Sequence, residues 1–253
     1  MADGAILTAS GLSKRFNALV VLNNVDFVIA PGEAIGIVGP NGAGKTTLLN
    51  VLSGAYPPTA GTVTFLGHDV TKLGAADRCK RGIARSHQIP RPFGGMTVFE
   101  NLHVAASIGG NLHGEAANRA CVESLELCGM MPVANRRAET LGLLDRKRLE
   151  MARALATGPQ VLLLDEIGGG LTDAEAAVLV TVIQSIVARG VAVVWIEHIV
   201  HVLLQVVTRL VCMDAGKILA NGDPEAVMSD PAVVDAYLGP GSGHGLAAGG
   251  VAA

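Results

Sequence analysis

Residues Gly39-Pro40-Asn41-Gly42-Ala43-Gly44-Lys45-Thr46-Thr47 fit the pattern G-x-x-x-x-G-K-[ST]. Glycines let such a loop turn its backbone N–H groups toward phosphate oxygens, and a helix beginning at the lysine adds a favourable dipole. Lys45 is placed to reach β- and γ-phosphates, and the Thr46 hydroxyl to hold Mg²⁺. The apolar run Val161-Leu162-Leu163-Leu164 ends in two adjacent carboxylates, Asp165 and Glu166. Asp165 suits Mg²⁺ held through its water shell, and Glu166 suits polarising an attacking water as general base. A third strand-like run, Val191-Ala192-Val193-Val194-Trp195-Ile196-Glu197, ends at His198. Gln88 lies at a change of composition and fits a sensor of the γ-phosphate, the water or the metal. Phe16 lies far upstream, where an aromatic ring could stack on adenine or equally fill a core.

Each of these residues has a plainer reading. A glycine-rich loop is often only a turn, an Asp-Glu pair after a strand is usually a helix cap, and a histidine at a strand end is usually structural. Context decides between the readings. Ile35 to Val38 is a compact apolar run entering the glycine loop, and Thr46 to Ser53 has helical spacing with Gly54 as a stop. The motif requires that strand-loop-helix order. Lys45, Gln88, Glu166 and His198 are therefore the candidate catalytic residues. Phe16, residues 39–47 and Asp165 are the candidate nucleotide contacts, and Thr46, Gln88 and Asp165 the candidate metal contacts.

The elements that must position them follow from patterning. Residues 6–30 read as short strands, and Thr59 to Val70 as a hairpin turning at Gly61 and Gly67. From Gln88 to Leu155 the composition shifts to Ala, Glu, Leu and Asn, which indicates an inserted helical segment. Strands return at Val161–Leu164, Val191–Ile196 and Arg209–Met213, with a helix over Ala174–Ala188. Strands alternating with helices indicate an α/β class with a parallel sheet. Residues 240–253 form a Gly/Ala-rich tail with a disordered composition.

Bulk properties narrow the function. The 253 residues are 50% hydrophobic and 16% charged, which excludes a disordered chain. A net charge of −3 supplies no overall basic field for nucleic acid. Cys79, Cys121, Cys128 and Cys212 contain no C-x-x-C pair, which argues against a metal or disulfide framework. His198 and His201 share helical spacing but have no third ligand. No apolar run approaches the ~20 residues of a spanning helix. No charged segment followed by an apolar stretch opens the chain. A cytoplasmic protein is expected, with a peripheral membrane role open.

With these elements in order, residues 6–239 resemble the ATP-binding cassette (ABC) ATPases. ARSHQIPRPFGGMTVFENL, RKRLEMARAL, WIEHIVHV, GKILANGDPEAV and DPAVVDAYLG are similar to the ATPase subunits of branched-chain amino acid uptake systems and their relatives. The resemblance implies a P-loop NTPase with a RecA-like parallel-sheet core, an N-terminal antiparallel β subdomain and an inserted helical subdomain. Residues 1–87 and 156–239 would form the core, and 88–155 the helical part. It further implies ATP and Mg²⁺, a head-to-tail dimer of ATPase subunits, and membrane-embedded permease subunits contacted around Arg91 to Leu102. A solute-binding protein would act indirectly, and the chain would sit peripherally on the inner face of the plasma (inner) membrane. An exporter or lipid-extracting ATPase and a soluble ABC ATPase are the alternatives. The solute and the choice between homodimer and heterodimer stay open.

The stretch Leu141-Gly142-Leu143-Leu144-Asp145 occupies the place of the family's Leu-Ser-Gly-Gly-Gln signature, which covers the partner's ATP. Gly142 lacks the hydroxyl that would meet the γ-phosphate, and Leu144 must turn aside or obstruct. Asp145 replaces Gln, Ile167 replaces the usual Pro, and Thr172 stands where Asp or Asn is common. The expectation is an asymmetric ATPase dimer.

Overall fold

The computed structural model of the chain describes residues 4–238; the tail expected over 240–253 lies outside them. Two sheets organise the fold. The six-stranded sheet runs β10-β9-β3-β8-β7-β6, made of β3 (Ala34–Val38), β6 (Ile83–Arg85), β7 (Val161–Asp165), β8 (Ala192–Ile196), β9 (Arg209–Asp214) and β10 (Lys217–Gly222). All neighbouring pairs in it are parallel except β9 with β10. Every residue of β3, β7 and β8 is buried, which is why these strands read as unbroken apolar runs. Their side chains alternate between two cores. Leu162, Leu164, Val193 and Trp195 face the helical layer, while Val161, Leu163, Val194 and Ile196 face the N-terminal strands.

The second sheet is antiparallel, ordered β2-β1-β4-β5, from β1 (Leu7–Phe16), β2 (Leu19–Ile29), β4 (Ala60–Phe65) and β5 (His68–Asp69). Residues 6–30 are thus two long strands of 10 and 11 residues rather than several short ones. Register shifts in the pairing of β1 with β2 break the alternation that would have revealed their length. The hairpin turns at Leu66-Gly67, both at positive φ, whereas Gly61 falls inside β4 instead of at a turn.

Helix α1 (Lys45–Leu52) follows β3 through the glycine loop of residues 39–44 and lies between the sheets. Fully buried Arg78, from α2 (Ala75–Lys80), donates to the Val51 and Leu52 carbonyls at the end of α1, each at 2.8 Å. Burial draws that guanidinium down to about 10. Between residues 98 and 155 lie α3 (Val98–Val104), a π-helical turn over Ala105–Gly109, α4 (Gly114–Leu127) and α5 (Leu143–Leu155). Thr97 and Glu100 form a reciprocal capping box at α3; Thr172 and Glu175 do the same for α6 (Asp173–Ala188). The chain continues through α7 (Val200–Leu203) and closes with α8 (Pro224–Ser229) and α9 (Pro231–Leu238). Among the described residues no helix is long and apolar enough to cross a membrane.

Candidate nucleotide site

The C-terminal ends of β3, β7 and β8 lie side by side and deliver the glycine loop, Asp165-Glu166 and Glu197-His198 to one edge of the sheet. Ligands of open α/β sheets bind in the crevice at such an edge. A cavity there is lined by residues 41–47 together with Val21 and Glu166. Gly44, the residue before α1, has φ 101, and a Cβ on it would stand 2.7 Å from the Val21 carbonyl oxygen. Only glycine fits that turn, and the first turn of α1 then opens on the cavity with unpaired N–H groups.

Lys45 is buried, and its Nζ donates to the Gly39 and Pro40 carbonyls at 2.6 and 3.0 Å. Burial draws its ammonium below the usual lysine range, against the opposing pull of Glu166, Cys212 and Asp165. The Thr46 hydroxyl lies 3.3 Å from Asp165 Oδ1. A hydroxyl and a carboxylate oxygen side by side at a helix N-terminus are hard oxygen donors that leave room for waters, the donor set Mg²⁺ takes beside phosphate. These residues fit that ion.

Glu166 adopts φ 48, uncommon for a residue with a side chain and typical of functional positions. Its carboxylate is held from two directions. His198 Nε2 lies 2.8 Å from Oε1, and Gln88 Nε2 donates to Oε2. Gln88 reaches Glu166 through its nitrogen, so its Oε1, the atom a metal would need, takes no part in that bond. Buried Glu197 accepts from the Gly168 and His198 N–H groups at 2.9 and 3.2 Å. It thereby fastens the loop after Glu166 to the end of β8.

Sequence reasoning therefore named six residues that the structure brings together: Lys45, Thr46, Gln88, Asp165, Glu166 and His198. Phe16 stands outside the cavity lining, 40% exposed at the end of β1, with its ring edge-on to Tyr56 at 5.4 Å and the Lys14 ammonium 5.0 Å from its centroid. Leu141 to Asp145 lie apart from the glycine loop, at the start of α5. Gly142 is the residue before that helix, with no side chain to cap it. Leu144 packs on the helical core, so it is the side chain turned aside. Leu143, 46% exposed, is the one presented outward. Asp145 pairs with Arg148 at 3.3 Å. Ile167 is buried in the helical core, and Thr172 caps α6.

Three residues near the site were not singled out in the sequence. Arg85 reaches Asp165, Asn50 reaches Arg85, and the Tyr237 hydroxyl accepts from the Gly39 N–H at 2.6 Å. Burial pushes the Tyr237 phenol up, while the Gly39 N–H pulls it back. Arg85 did lie in the ARSHQ resemblance and Tyr237 in DPAVVDAYLG, without a role for either; no local signal marked Asn50.

A phosphate-cradling loop, a lysine at its end and a strand-end carboxylate pair define a P-loop nucleotide-hydrolysing fold. The comparison with known proteins specifies which. A family model described as "ABC transporter" matches residues 22–168, and one described as "Branched-chain amino acid ATP-binding cassette transporter" matches residues 217–239. The chain is 36% identical over 249 residues to the high-affinity branched-chain amino acid transport ATP-binding protein LivG of Escherichia coli K12, covering 92% of this chain and 98% of LivG. It is 34% identical to BraF of Pseudomonas aeruginosa, described in the same words, with the same coverage of each chain. The crystal structure of the ADP conformation of MJ1267, an ATP-binding cassette of an ABC transporter, superposes with a TM-score of 0.85 at 30% identity, over 93% of this chain and 99% of that one. The chain belongs to the ABC transporter ATP-binding family: it binds ATP and couples its hydrolysis to transport.

Proposed function

We propose that this chain powers an importer of branched-chain amino acids or related small polar solutes. The observation that carries the solute class is the C-terminal segment 217–239, which matches the branched-chain amino acid cassette model. In the fold this segment forms β10, α8 and α9 and sets Tyr237 against the glycine loop.

The proposed chemistry uses residues already in contact. ATP enters over residues 41–47, and Lys45 exchanges the Gly39 and Pro40 carbonyls for the β- and γ-phosphates. Thr46 and Asp165 would hold Mg²⁺, which when bound would supply positive charge against the phosphates. Glu166 polarises the attacking water. Each of its oxygens accepts one bond in this structure and keeps a further lone pair for that water. Gln88, carried on the loop after β6, and His198 keep the carboxylate aimed. Permease subunits dock near Arg91 to Leu102, where Phe93 and Met96 are exposed and the Arg153 guanidinium covers the Phe93 ring at 5.1 Å. The subunit then sits at the cytoplasmic face of the membrane as one half of an ATPase dimer.

Removing this chain from its source cell should abolish uptake of radiolabelled leucine. Wild type should restore uptake and Glu166→Gln should not. Undiminished leucine, isoleucine and valine uptake in the deleted cell would sink the solute assignment.

The start of α5 favours a second element, an asymmetric dimer. Gly142 and Leu143 offer a partner's γ-phosphate backbone N–H groups and an apolar side chain, without a hydroxyl. ATP turnover measured against protein concentration tests this, with Lys45→Ala as blank. Binding without turnover in the isolated chain supports a heterodimer in which the partner supplies an ordinary signature. Turnover rising with the square of concentration supports two copies and counts against asymmetry.

A further inference from the structure

Thr46 and Asp165 belong to a closed ring of hydrogen bonds completed by two residues outside the nucleotide motifs. Arg85 Nη2 donates to Asp165 Oδ2 at 2.7 Å, and Arg85 Nη1 donates to Asn50 Oδ1 at 2.6 Å. Asn50 Nδ2 donates to the Thr46 carbonyl at 2.8 Å, and Thr46 Oγ1 closes the ring on Asp165 Oδ1 at 3.3 Å. Arg85 is the last residue of β6, beside β7, and Asn50 lies one turn along α1 from Thr46. Side-chain exposures of 11% for Arg85 and 4% for Asp165 keep this pair largely out of water. Arg85 Nε is buried without a partner among the described residues, so the guanidinium depends on Asp165 and Asn50 for compensation.

We infer that Arg85, braced by Asn50, is a positioning residue for the divalent cation: it pins Oδ2 of Asp165 so that Oδ1 alone faces Thr46. The planar guanidinium holds two acceptors at a fixed separation, which a lysine ammonium does with far less direction. The inference rests on Thr46 and Asp165 being the cation site. Its sign is not the sign of simple electrostatics. A positive charge beside the carboxylate repels a cation, so a purely Coulombic Arg85 would weaken cation binding, and its removal would strengthen it. A brace does the reverse, because a freed carboxylate must be reordered each time the cation binds. The same arginine lines a groove with Arg91, Glu150 and Arg153, and the loop after β6 carries Gln88 three residues further on. The brace therefore stands between that groove and the cation.

Mn²⁺ binding measured by electron paramagnetic resonance, with ATP on a Glu166→Gln background, tests the inference. Arg85→Ala should raise the Mn²⁺ dissociation constant about tenfold, as loss of an outer partner of a metal ligand typically does, and Asn50→Ala about threefold. Arg85→Lys should fall between wild type and Arg85→Ala. Affinity for a fluorescent ATP analogue in EDTA should stay unchanged in all three. Unchanged or tighter Mn²⁺ binding in Arg85→Lys and Asn50→Ala overturns the brace, as does an equal loss of analogue affinity in EDTA. Thr46→Ala and Asp165→Asn serve as the reference. If they leave Mn²⁺ affinity untouched, the cation site itself is wrong; if they weaken it while Arg85 and Asn50 variants do not, only the brace fails. Should Arg85→Ala not fold, Arg85→Lys and Asn50→Ala still decide.

Discussion

The glycine-loop face and the start of α5 are both helix N-termini, yet they are furnished in opposite ways. At α1 the free N–H groups are surrounded by Lys45, Thr46, Asp165, Glu166, Gln88 and His198, several of them bonded to one another. At α5 the free N–H groups follow Gly142, with exposed Leu143 beside them and Asp145 drawn toward Arg148. One face can hold phosphate and move a proton. The other has only backbone N–H groups and an apolar side chain to offer. Under the proposed dimer, a subunit built this way would carry out chemistry on its own ATP and offer a weaker surface to its partner's.

The largest effect should come from breaking the first face. Glu166→Gln keeps the shape and one acceptor oxygen for Gln88 or His198 but removes the proposed base. Turnover should fall by roughly 10²- to 10⁴-fold, the usual worth of a positioned general base, while ATP still binds. Phosphate release and equilibrium nucleotide binding measured on the same sample check this. A loss smaller than about tenfold would assign the base elsewhere.

Rebuilding the second face should give the next largest change. Gly142→Ser with Leu143→Gly restores a hydroxyl and clears the exposed side chain. A hydrogen bond to a charged group contributes about 1.5–3 kcal/mol, so turnover in the working dimer should rise by roughly 10- to 100-fold if the contact forms in the transition state. A cavity penalty is not expected, because a Cβ at Gly142 meets nothing within 4 Å and Leu143 is exposed. No gain in rate, measured with the true partner present, would mean that backbone N–H groups already suffice.

A smaller effect is expected where the C-terminal helix meets the glycine loop. Gly39 cannot carry a side chain, since a Cβ would collide with the Met213 carbonyl, and its N–H is held by the Tyr237 hydroxyl. Tyr237→Phe removes one neutral hydrogen bond of about 1 kcal/mol, so ATP affinity should weaken about fivefold. Isothermal titration of ATP against both proteins checks this. Unchanged affinity would make the contact purely a docking point for α9.

What was legible beforehand divides along the same line. The glycine loop, Asp165-Glu166 and His198 could be read because each closes a short apolar run, and the sheet then brings the runs together. Leu143 and Leu144 could not be told apart, because which of them faces the core depends on the phase of α5 and not on the motif frame. The motif frame points to Leu144, but Leu144 packs on the core and Leu143 carries the exposure. The links of Arg85 to Asp165 and Tyr237 to Gly39 join residues 80 and 198 positions apart, beyond the reach of any local pattern. The long N-terminal strands were obscured by bulges that interrupt period-two alternation.

The smallest prediction separates helix capping from catalysis at the second face. Gly142 has φ −67 and ψ 174, the extended conformation a serine adopts readily at a helix start. A serine hydroxyl there can accept from the N–H of Asp145 at the third helical position, an orphan donor in the present chain. Serine exceeds glycine as a cap by only a few tenths of a kcal/mol, so Gly142→Ser alone should raise the melting temperature by about 1 °C in a chain of this size. Calorimetry without nucleotide measures it. A rise of that order with no change in turnover would make serine only a cap, leaving Leu143 as the obstacle to partner phosphate. The same rise with faster turnover would mean that the hydroxyl, while accepting from the helix, donates its proton to the partner's γ-phosphate. Leu143 would then obstruct little, and the contrast between the two faces would reduce to one missing oxygen atom.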